Sequence, residues 1–155
     1  MALKVQIEES IVNSICESIT EAIPVFPKKL LGVSRIVREQ KMPLSHVQIL
    51  LMLRKEPLSI GELSHRLAIA KPNITPLVDE LSHAGYVDRV KDEKDRRVVK
   101  VNLTEEGIAK IASIEETVAE SINSWGAYLS RSQVKELNRS LGSVVRLLSL
   151  IPDEA

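Results

Sequence analysis

The sequence that begins at Ser59 constrains the fold most, because two short helical segments lead directly into a strand-rich pair. Ser59 and Glu62 have the spacing of a capping box, which predicts a helix from Ser59 to about Leu67. The segment AIAKPN then predicts a tight turn. A second helix is expected through Ala84, and Gly85 suits its C-terminal cap. This part of the chain is therefore predicted to form a helix, a short turn and a helix.

Two β-rich segments follow the second helix, Tyr86 to Val90 and Val98 to Leu103, and the charged run KDEKDRR joins them. Branched and aromatic side chains favour strands, so the pattern predicts a β-hairpin with a highly charged turn. Thr104 comes next and is followed by two glutamates. It is expected to cap a new helix that carries acids in its first turn.

The N-terminal part of the chain predicts three helical segments. Isoleucines at four-residue spacing form one apolar stripe from Leu3 to Ile23, and this helix is expected to end at Pro24. KKLLGVSRIVREQ predicts a further helical piece, and LSHVQILLMLRK after Pro43 predicts a short core helix. The side chains expected to define that core helix are Val47, Leu50, Leu51 and the stem of Arg54.

The C-terminal part predicts two amphipathic helices. The first begins at Thr104, and the second starts at Ser130 or Ser132 with apolar residues near the spacing of a coiled-coil seam. The apolar positions of the first are Ile108, Ile111, Ile114, Val118, Ile122, Trp125 and Leu129. Those of the second are Val134, Leu137, Leu141, Val144, Leu148 and Ile151.

Charge is balanced overall but separated along the chain. The sequence has 21 Lys and Arg residues against 21 Asp and Glu residues, which gives no overall attraction to a polyanion. Residues 89–100 nevertheless hold six cations against three acids, whereas residues 1–27 hold one cation against four acids. Any contact with nucleic acid must therefore come from local clustering.

The compartment is predicted from what the sequence lacks. A lone Cys16 cannot form an intrachain disulfide, which fits a reducing cytosol. The N-terminus shows no signal-peptide pattern, and VQILLML is too short to span a bilayer. We expect a soluble cytoplasmic protein with no membrane partner.

The order helix, helix, turn, helix, hairpin is that of a winged helix-turn-helix, whose second paired helix enters the DNA major groove. A charged hairpin tip can reach phosphates or a narrow minor groove, and Arg96 and Arg97 are the candidates. Asp95 is expected to form a wing salt bridge with one of them. A solvated turn is ordinarily polar too, and the position after the helix pair is what favours DNA.

The second helix of the pair has one apolar and one polar side when residues are placed at steps of about 100°. Ile74, Leu77, Val78 and Leu81 share the apolar side, and Pro72, Thr75, Pro76, Asp79 and His83 share the other. Ordinary solvated polarity is the alternative explanation for Asn73 and Thr75. Ala70 offers no side-chain cap, so a phosphate could satisfy the first N–H groups. The predicted DNA-binding residues are Lys71, Pro72, Asn73, Thr75, Pro76, Lys94, Arg96 and Arg97.

The segments SIGELSHRLAIAKPNITPLVDELSHAGYVDR and DEKDRR, the latter followed by VVKVNLTEEG, carry a family resemblance. Between about Leu44 and Gly107 the chain resembles the MarR family of transcriptional regulators. The wing signature of that family is filled here by Asp92, Lys94, Asp95 and Arg97. Lys94 stands where arginine is common, which keeps the charge but loses the bidentate geometry.

The resemblance implies a mainly α fold with a small β-hairpin wing. It implies a winged helix-turn-helix domain at 44–107 and a helical dimerisation region formed by 1–38 and 108–155. The implied partners are double-stranded DNA and a second copy of the chain, with a repressor acting on a pseudo-palindromic operator. A pocket for a small-molecule effector is suggested where the dimer helices meet the winged domain.

Other functions are less favoured by the sequence. His46, His65, His83 and Cys16 lack metal-ligand spacing, and no phosphate-binding glycine loop or nucleophile elbow occurs, so no cofactor, metal or enzymatic activity is expected. A redox role for Cys16 is not expected beside Glu17, because a carboxylate disfavours the reactive thiolate. A winged-helix module that binds proteins without reading DNA is the main alternative. A metabolite-binding dimer that uses DNA only indirectly is a third.

Overall fold

The computed structural model describes residues 6–30, 32–92 and 95–152. The elements are mainly helical, with a small antiparallel sheet, as expected for a winged helix-turn-helix protein. In chain order they are α1 (Glu9–Lys29), α2 (Val33–Gln40), α3 (Leu44–Leu53), β1 (Leu58–Ser59), α4 (Ile60–Leu67), α5 (Lys71–His83), β2 (Val87–Lys91), β3 (Val99–Leu103), α6 (Glu105–Asn123), a short 3₁₀ helix (Ser124–Ala127) and α7 (Arg131–Leu148).

The first helix is longer at its C-terminal end than predicted. The expectation that it ends at Pro24 is wrong, since α1 continues through Pro24 and Pro27 to Lys29. The two prolines are three residues apart and lie on nearly the same side of the helix, so the missing donors affect one side only. The last turn closes with the Leu30 N–H donating to the Phe26 carbonyl oxygen at 2.9 Å. The predicted stripe position Leu3 lies outside the described residues.

The core lies between α3, the helix pair and the sheet. In α3, Val47 and Leu50 are buried as predicted, but Leu51 is 41% exposed and Arg54 is exposed. Their predicted place in the core is wrong, because the buried side of α3 is centred on His46, Leu50 and Leu53, and Leu51 lies about 100° around the helix from Leu50. The buried hydrophobic residues are Ile36, Met42, Val47, Ile49, Leu50, Leu53, Leu58, Leu63, Ile74, Val78, Leu81, Val87, Val101, Ile111 and Ile114.

The helix pair forms as its caps predict. The Ser59 side chain accepts from the Glu62 N–H at 3.2 Å, and the Glu62 carboxylate accepts from the Ser59 N–H at 2.7 Å. At the other end, Gly85 has a φ of +78°, which a residue with a side chain rarely adopts. The Tyr86 N–H donates to Leu81, which completes a Schellman-type C-terminus.

The hairpin forms within one residue of its predicted bounds. Strands β2 and β3 are antiparallel, with Val87 opposite Leu103 and Lys91 opposite Val99. A third strand, β1, was not predicted and pairs Leu58 with Val101 to give the order β1-β3-β2. Two residues are too few to show strand periodicity in a sequence.

The two C-terminal helices are separated by a break. Thr104 caps α6 as predicted, but the helix stops at Asn123, so the expected stripe does not continue to Trp125 and Leu129. Ser130 caps α7 in a capping box with Gln133, which decides between the two serines. Neither α1 nor α7 contains a buried residue among those described.

Candidate nucleic-acid interface

The inner side of α5 is fixed by the core. Ile74 and Val78 are 0% exposed and Leu81 is 1% exposed, while Leu77 is half-buried. These four residues are the predicted apolar side of the helix. Their burial determines which side of α5 faces outward.

The outer side of α5 presents the predicted polar residues to solvent. Lys71, Pro72, Asn73, Thr75 and Pro76 are all exposed. The Thr75 hydroxyl donates to the Lys71 carbonyl oxygen at 3.3 Å, which leaves its oxygen free to accept. The aliphatic end and ammonium of Lys71 also lie over α4, because a Cβ built on Gly61 would be 3.5 Å from Nζ.

The lack of a side-chain cap at Ala70 suggested that a phosphate could satisfy the first N–H groups of α5. Fewer of these groups need an external acceptor than that suggested. Ala70 forms no side-chain cap, as expected, but Pro72 has no N–H to satisfy. The Asn73 N–H donates to the Ala70 carbonyl oxygen at 2.8 Å. Within the described chain, only the Lys71 N–H of this turn lacks an acceptor.

Two residues predicted on the outer side of α5 are engaged within the protein. The Asp79 carboxylate lies 2.5 Å from Nη2 of Arg89 on β2. Nδ1 of His83 lies 2.7 Å from the main-chain oxygen of Asp79. Sequence reasoning counted Arg89 as a local cation but did not place it at the site, because its partner is ten residues away on another element. The sequence signal that could have led to this pair was the position of Asp79 on the outward side of α5.

The hairpin turn is organised by Asp92. Its Oδ1 accepts from the Asp95 N–H at 2.9 Å, and its Oδ2 lies 2.8 Å from Nζ of Lys100. The hydrogen bond to Asp92, opposed by slight desolvation, raises the pKa of Lys100 above its ordinary value. The Asp92 N–H closes the turn by donating to the Val98 carbonyl oxygen at 2.9 Å.

Asp95 shapes the turn through the backbone. Its Oδ1 accepts from the Arg97 N–H at 3.0 Å, and its carbonyl oxygen accepts from the Val98 N–H at 2.9 Å. The expected salt bridge to Arg96 or Arg97 is not present in the part of the chain that is described. The reason is local: a carboxylate two residues before an N–H readily forms an Asx turn.

The wing arginines remain available for a ligand. Arg96 and Arg97 are exposed, and neither guanidinium has an ion-pair partner within residues 6–30, 32–92 and 95–152. The remaining predicted wing residue, Lys94, lies outside the described residues. The predicted residues that the structure describes thus form two exposed groups, one on the first turns of α5 and one on the hairpin turn.

A cleft of about 500 Å³ lies behind α5, between the end of α2 and the start of α6. It is lined in part by Lys41, His46, Glu80, Tyr86 and Lys110. His46 is 6% exposed, and its Nε2 lies 3.2 Å from Glu80 Oε2 without the alignment of a hydrogen bond. The lining of this cleft therefore combines residues of α2, α3, α5 and α6.

The wall of this cleft is held by Gln40. Its side-chain nitrogen donates to Thr117 Oγ1 at 2.8 Å, and its carbonyl oxygen accepts from Lys110 Nζ at 3.1 Å. Arg35 pairs with Glu39 at 2.8 Å and also with Glu120 of α6. The hydrogen bond from Arg35 lowers the pKa of Glu39, against a smaller opposing effect of desolvation. The end of α2 is therefore fixed to α6.

The described ranges contain no group of three or more His, Cys, Asp or Glu side chains placed to hold a metal ion. They also contain no helix long and apolar enough to cross a membrane. Cys16 is exposed on α1.

Comparison with known proteins gives a family match over the region that contains α5 and the hairpin turn. The MarR family model matches residues 40–98, from the end of α2 to the hairpin turn. The HTH-type transcriptional regulator PapX of Escherichia coli is 32% identical over 100 residues, which is 64% of this chain and 59% of PapX. This chain therefore spans about three-fifths of the length of that relative, whose name is that of a regulator and not of an enzyme.

Solved structures share the fold over almost the whole chain. The transcriptional regulator BldR from Sulfolobus solfataricus has a TM-score of 0.67 and 26% identity, covering 94% of this chain and 100% of BldR. CouR from Rhodococcus jostii has a TM-score of 0.61 and 20% identity, covering 79% of this chain and 87% of CouR. The family match falls on the helix pair and hairpin that the sequence singled out, so the predicted resemblance to the MarR family of winged-helix regulators is confirmed over this part of the chain.

Proposed function

We propose that this chain is a dimeric, sequence-specific DNA-binding regulator of transcription, of repressor type, that acts in the cytoplasm. It would place α5 in the major groove and the hairpin turn on the phosphates or in the minor groove. A dimer would bind a pseudo-palindrome whose half-sites lie roughly 34 to 36 Å apart.

The observation that carries this proposal is the availability of the predicted side chains. Core packing turns Asn73 and Thr75 outward on α5. Turn hydrogen bonds use Asp92 and Asp95, and Arg96 and Arg97 have no ion-pair partner among the residues that the structure describes. Two outward-facing groups that offer donors suit a duplex, which carries acceptors on phosphates and base edges.

The test is the affinity for duplex DNA as a function of salt, measured by fluorescence anisotropy on duplexes selected from a random pool. We expect Arg97→Ala to weaken binding at least tenfold and to reduce the salt slope by about one, as loss of a phosphate contact does. Asn73→Ala and Thr75→Ala are expected to change the preferred sequence more than the affinity for random duplex.

Arg139→Ala provides a matched control, because Arg139 is an exposed arginine on α7. It should bind DNA like the unmodified chain. If Arg97→Ala and Arg139→Ala behave alike, the wing is not a DNA contact. Binding that is insensitive to salt, or absent, would favour the alternative of a module that docks proteins.

The dimer is supported by apolar surface on α1 and α7. Ile11, Ile15, Ile19 and Ile23 of α1 are each 48% to 64% exposed, and Leu148 of α7 is 59% exposed. Such a long exposed stripe is unfavourable in water and is typical of a surface that another protein covers. Ile15 and Ile19 also line an apolar groove that reaches Val144 of α7.

Sedimentation analysis of Ile19→Lys tests the dimer. We expect the mass to fall from two chains to one, because a lysine in the groove would bury an unpaired charge. Glu17→Lys, which introduces the same side chain at a polar position of α1, should leave the mass unchanged. Equal masses for both variants would place the interface elsewhere.

A small-molecule effector is proposed for the cleft that contains His46 and Lys110. CouR, which shares the fold, was solved bound to p-coumaroyl-CoA, so the fold can accommodate a ligand. Repeating the duplex selection with candidate small molecules would identify one that releases DNA. His46→Leu should abolish that release if the cleft is the binding site.

A further inference from the structure

We propose that Arg89 is a positioning residue for DNA binding, which acts by holding Asp79 and thereby fixing α5 relative to the hairpin. This inference rests on the proposed function and adds a residue that makes no DNA contact itself. It concerns the geometry between the two groups that are expected to touch DNA.

The pair joins the two elements at a well-anchored point of each. Arg89 lies in the middle of β2, opposite Val101, which is 1% exposed. Asp79 directly follows Val78, which is 0% exposed. The Nη2 to Oδ1 distance is 2.5 Å, so a short charge-assisted hydrogen bond connects the outer side of α5 to the strand that leads to the wing.

Exposure indicates that the pair is not needed for folding. The two side chains are 45% and 43% exposed, and ion pairs of this kind contribute little to stability in water. The buried side chains of α5, Ile74, Val78 and Leu81, are apolar, and their packing in the core would remain. The pair instead restricts the orientation of α5 relative to β2, because Asp79 and Arg89 are held on these two different rigid elements.

The negative charge of Asp79 is a second way in which the pair would affect DNA binding. Asp79 lies one turn beyond Thr75 on the side of α5 that is proposed to face DNA. An unpaired carboxylate there would repel phosphates. Variants that remove Arg89 alone therefore combine loss of positioning with an uncompensated acid, and the test has to separate these effects.

The test compares Arg89→Gln, Asp79→Asn and the double variant Asp79→Asn/Arg89→Gln in the salt-dependent DNA assay. We expect each to bind the selected duplex about tenfold more weakly than the unmodified chain, with an unchanged slope of log Kd against log salt. Arg89→Lys should recover part of the affinity because lysine can still pair with Asp79. Arg54→Gln is the matched control, since it breaks a similarly exposed ion pair with Glu115 and should stay within about twofold.

Three results would overturn the inference. A salt slope reduced by about one in Arg89→Gln, together with tighter binding by Asp79→Asn, would make Arg89 a direct phosphate contact. If the double variant bound DNA with full affinity, the only role of Arg89 would be to neutralise the charge of Asp79. Binding by Arg89→Gln equal to that of Arg54→Gln would show that the pair has no role. In each case the unmodified chain still binds DNA, whereas the absence of any DNA binding by the unmodified chain would overturn the proposed function as well.

Discussion

Gly107 sits where α6 leaves the hairpin, and its replacement by alanine tests how closely these two parts approach. A Cβ at this position would lie 2.1 Å from the main-chain oxygen of Tyr86, and real Cβ contacts are essentially never closer than 3.0 Å. The obstacle is backbone, and it is itself held, since the Tyr86 oxygen accepts from the Thr104 N–H at 3.1 Å.

The magnitude follows from two opposing effects of Gly107→Ala. Alanine is favoured over glycine in a helix by roughly 0.5 to 1 kcal/mol. Against this, the helix and strand must separate by about 0.9 Å, the difference between 3.0 and 2.1 Å, and such overpacking typically costs about 1 to 3 kcal/mol. Because the obstacle is main chain rather than a flexible side chain, we take the upper part of that range. The expected net loss is about 2 kcal/mol in the free energy of unfolding.

Gly142 of α7 gives the matched control, because a Cβ there would meet nothing within 4 Å. Gly142→Ala should stabilise the chain by up to about 1 kcal/mol through helix propensity alone. The assay is urea unfolding followed by circular dichroism, with all variants at one protein concentration, since a dimer makes stability concentration-dependent.

The sign of the difference between the two variants decides the outcome. The same chemical change should lower stability at Gly107 and raise it at Gly142. If Gly107→Ala unfolds at the same urea concentration as the unmodified chain, α6 and the start of β2 do not approach as closely as the structure shows. The junction of the winged domain and the helical region would then be looser than we infer.

Other predictions concern the caps. Thr104→Val should lower the free energy of unfolding by about 1 to 2 kcal/mol, because the hydroxyl accepts from the Gly107 N–H at 3.0 Å and donates to the Gly85 oxygen at 2.6 Å. Thr104→Ser keeps the hydroxyl and should not lower this free energy, and urea unfolding measures both variants. The hydrogen bond from the Ser59 backbone lowers the pKa of Glu62, so its stabilising contribution is full above the ordinary glutamate value of ~4.3 and is lost as pH falls through the lower folded value. The stability difference between the unmodified chain and Glu62→Gln should therefore shrink on acidification from pH 6 to pH 3, and a difference independent of pH would contradict the capping role of the carboxylate.

Local chemistry explains why so many elements could be predicted from the sequence. Ser59 and Thr104 each cap the helix that the sequence assigned to them, and Ser130 is one of the two serines predicted to start the last helix, because a hydroxyl next to free N–H groups is a short-range signal. Gly85 ends α5 for a similar reason, since a left-handed residue is needed there. The outward side of α5 followed from its helical periodicity alone.

Features that depend on distant residues could not be predicted. The strand at Leu58 exists because β3 offers an edge with which it pairs. Leu51 is as apolar as Leu50, and only the packing of α3 against its neighbours decides which of them is buried. The pairing of Arg89 with Asp79 likewise needs the crossing of β2 and α5, which no short segment encodes.

The acids of the hairpin turn show how one local pattern can have two physical explanations. The sequence suggested that Asp95 would hold an arginine side chain extended, whereas its carboxylate accepts from the arginine backbone and Asp92 pairs with Lys100. Both carboxylates therefore fix the path of the turn, and the cation that Asp92 pairs with is Lys100. A turn that contains acids can in this way leave its arginines exposed, because Asp95 accepts from the backbone and Asp92 bonds both the backbone and Lys100. If Asp95→Asn preserved the turn and left DNA affinity unchanged while Asp95→Ala weakened it, the role of the carboxylate would be hydrogen bonding and not charge.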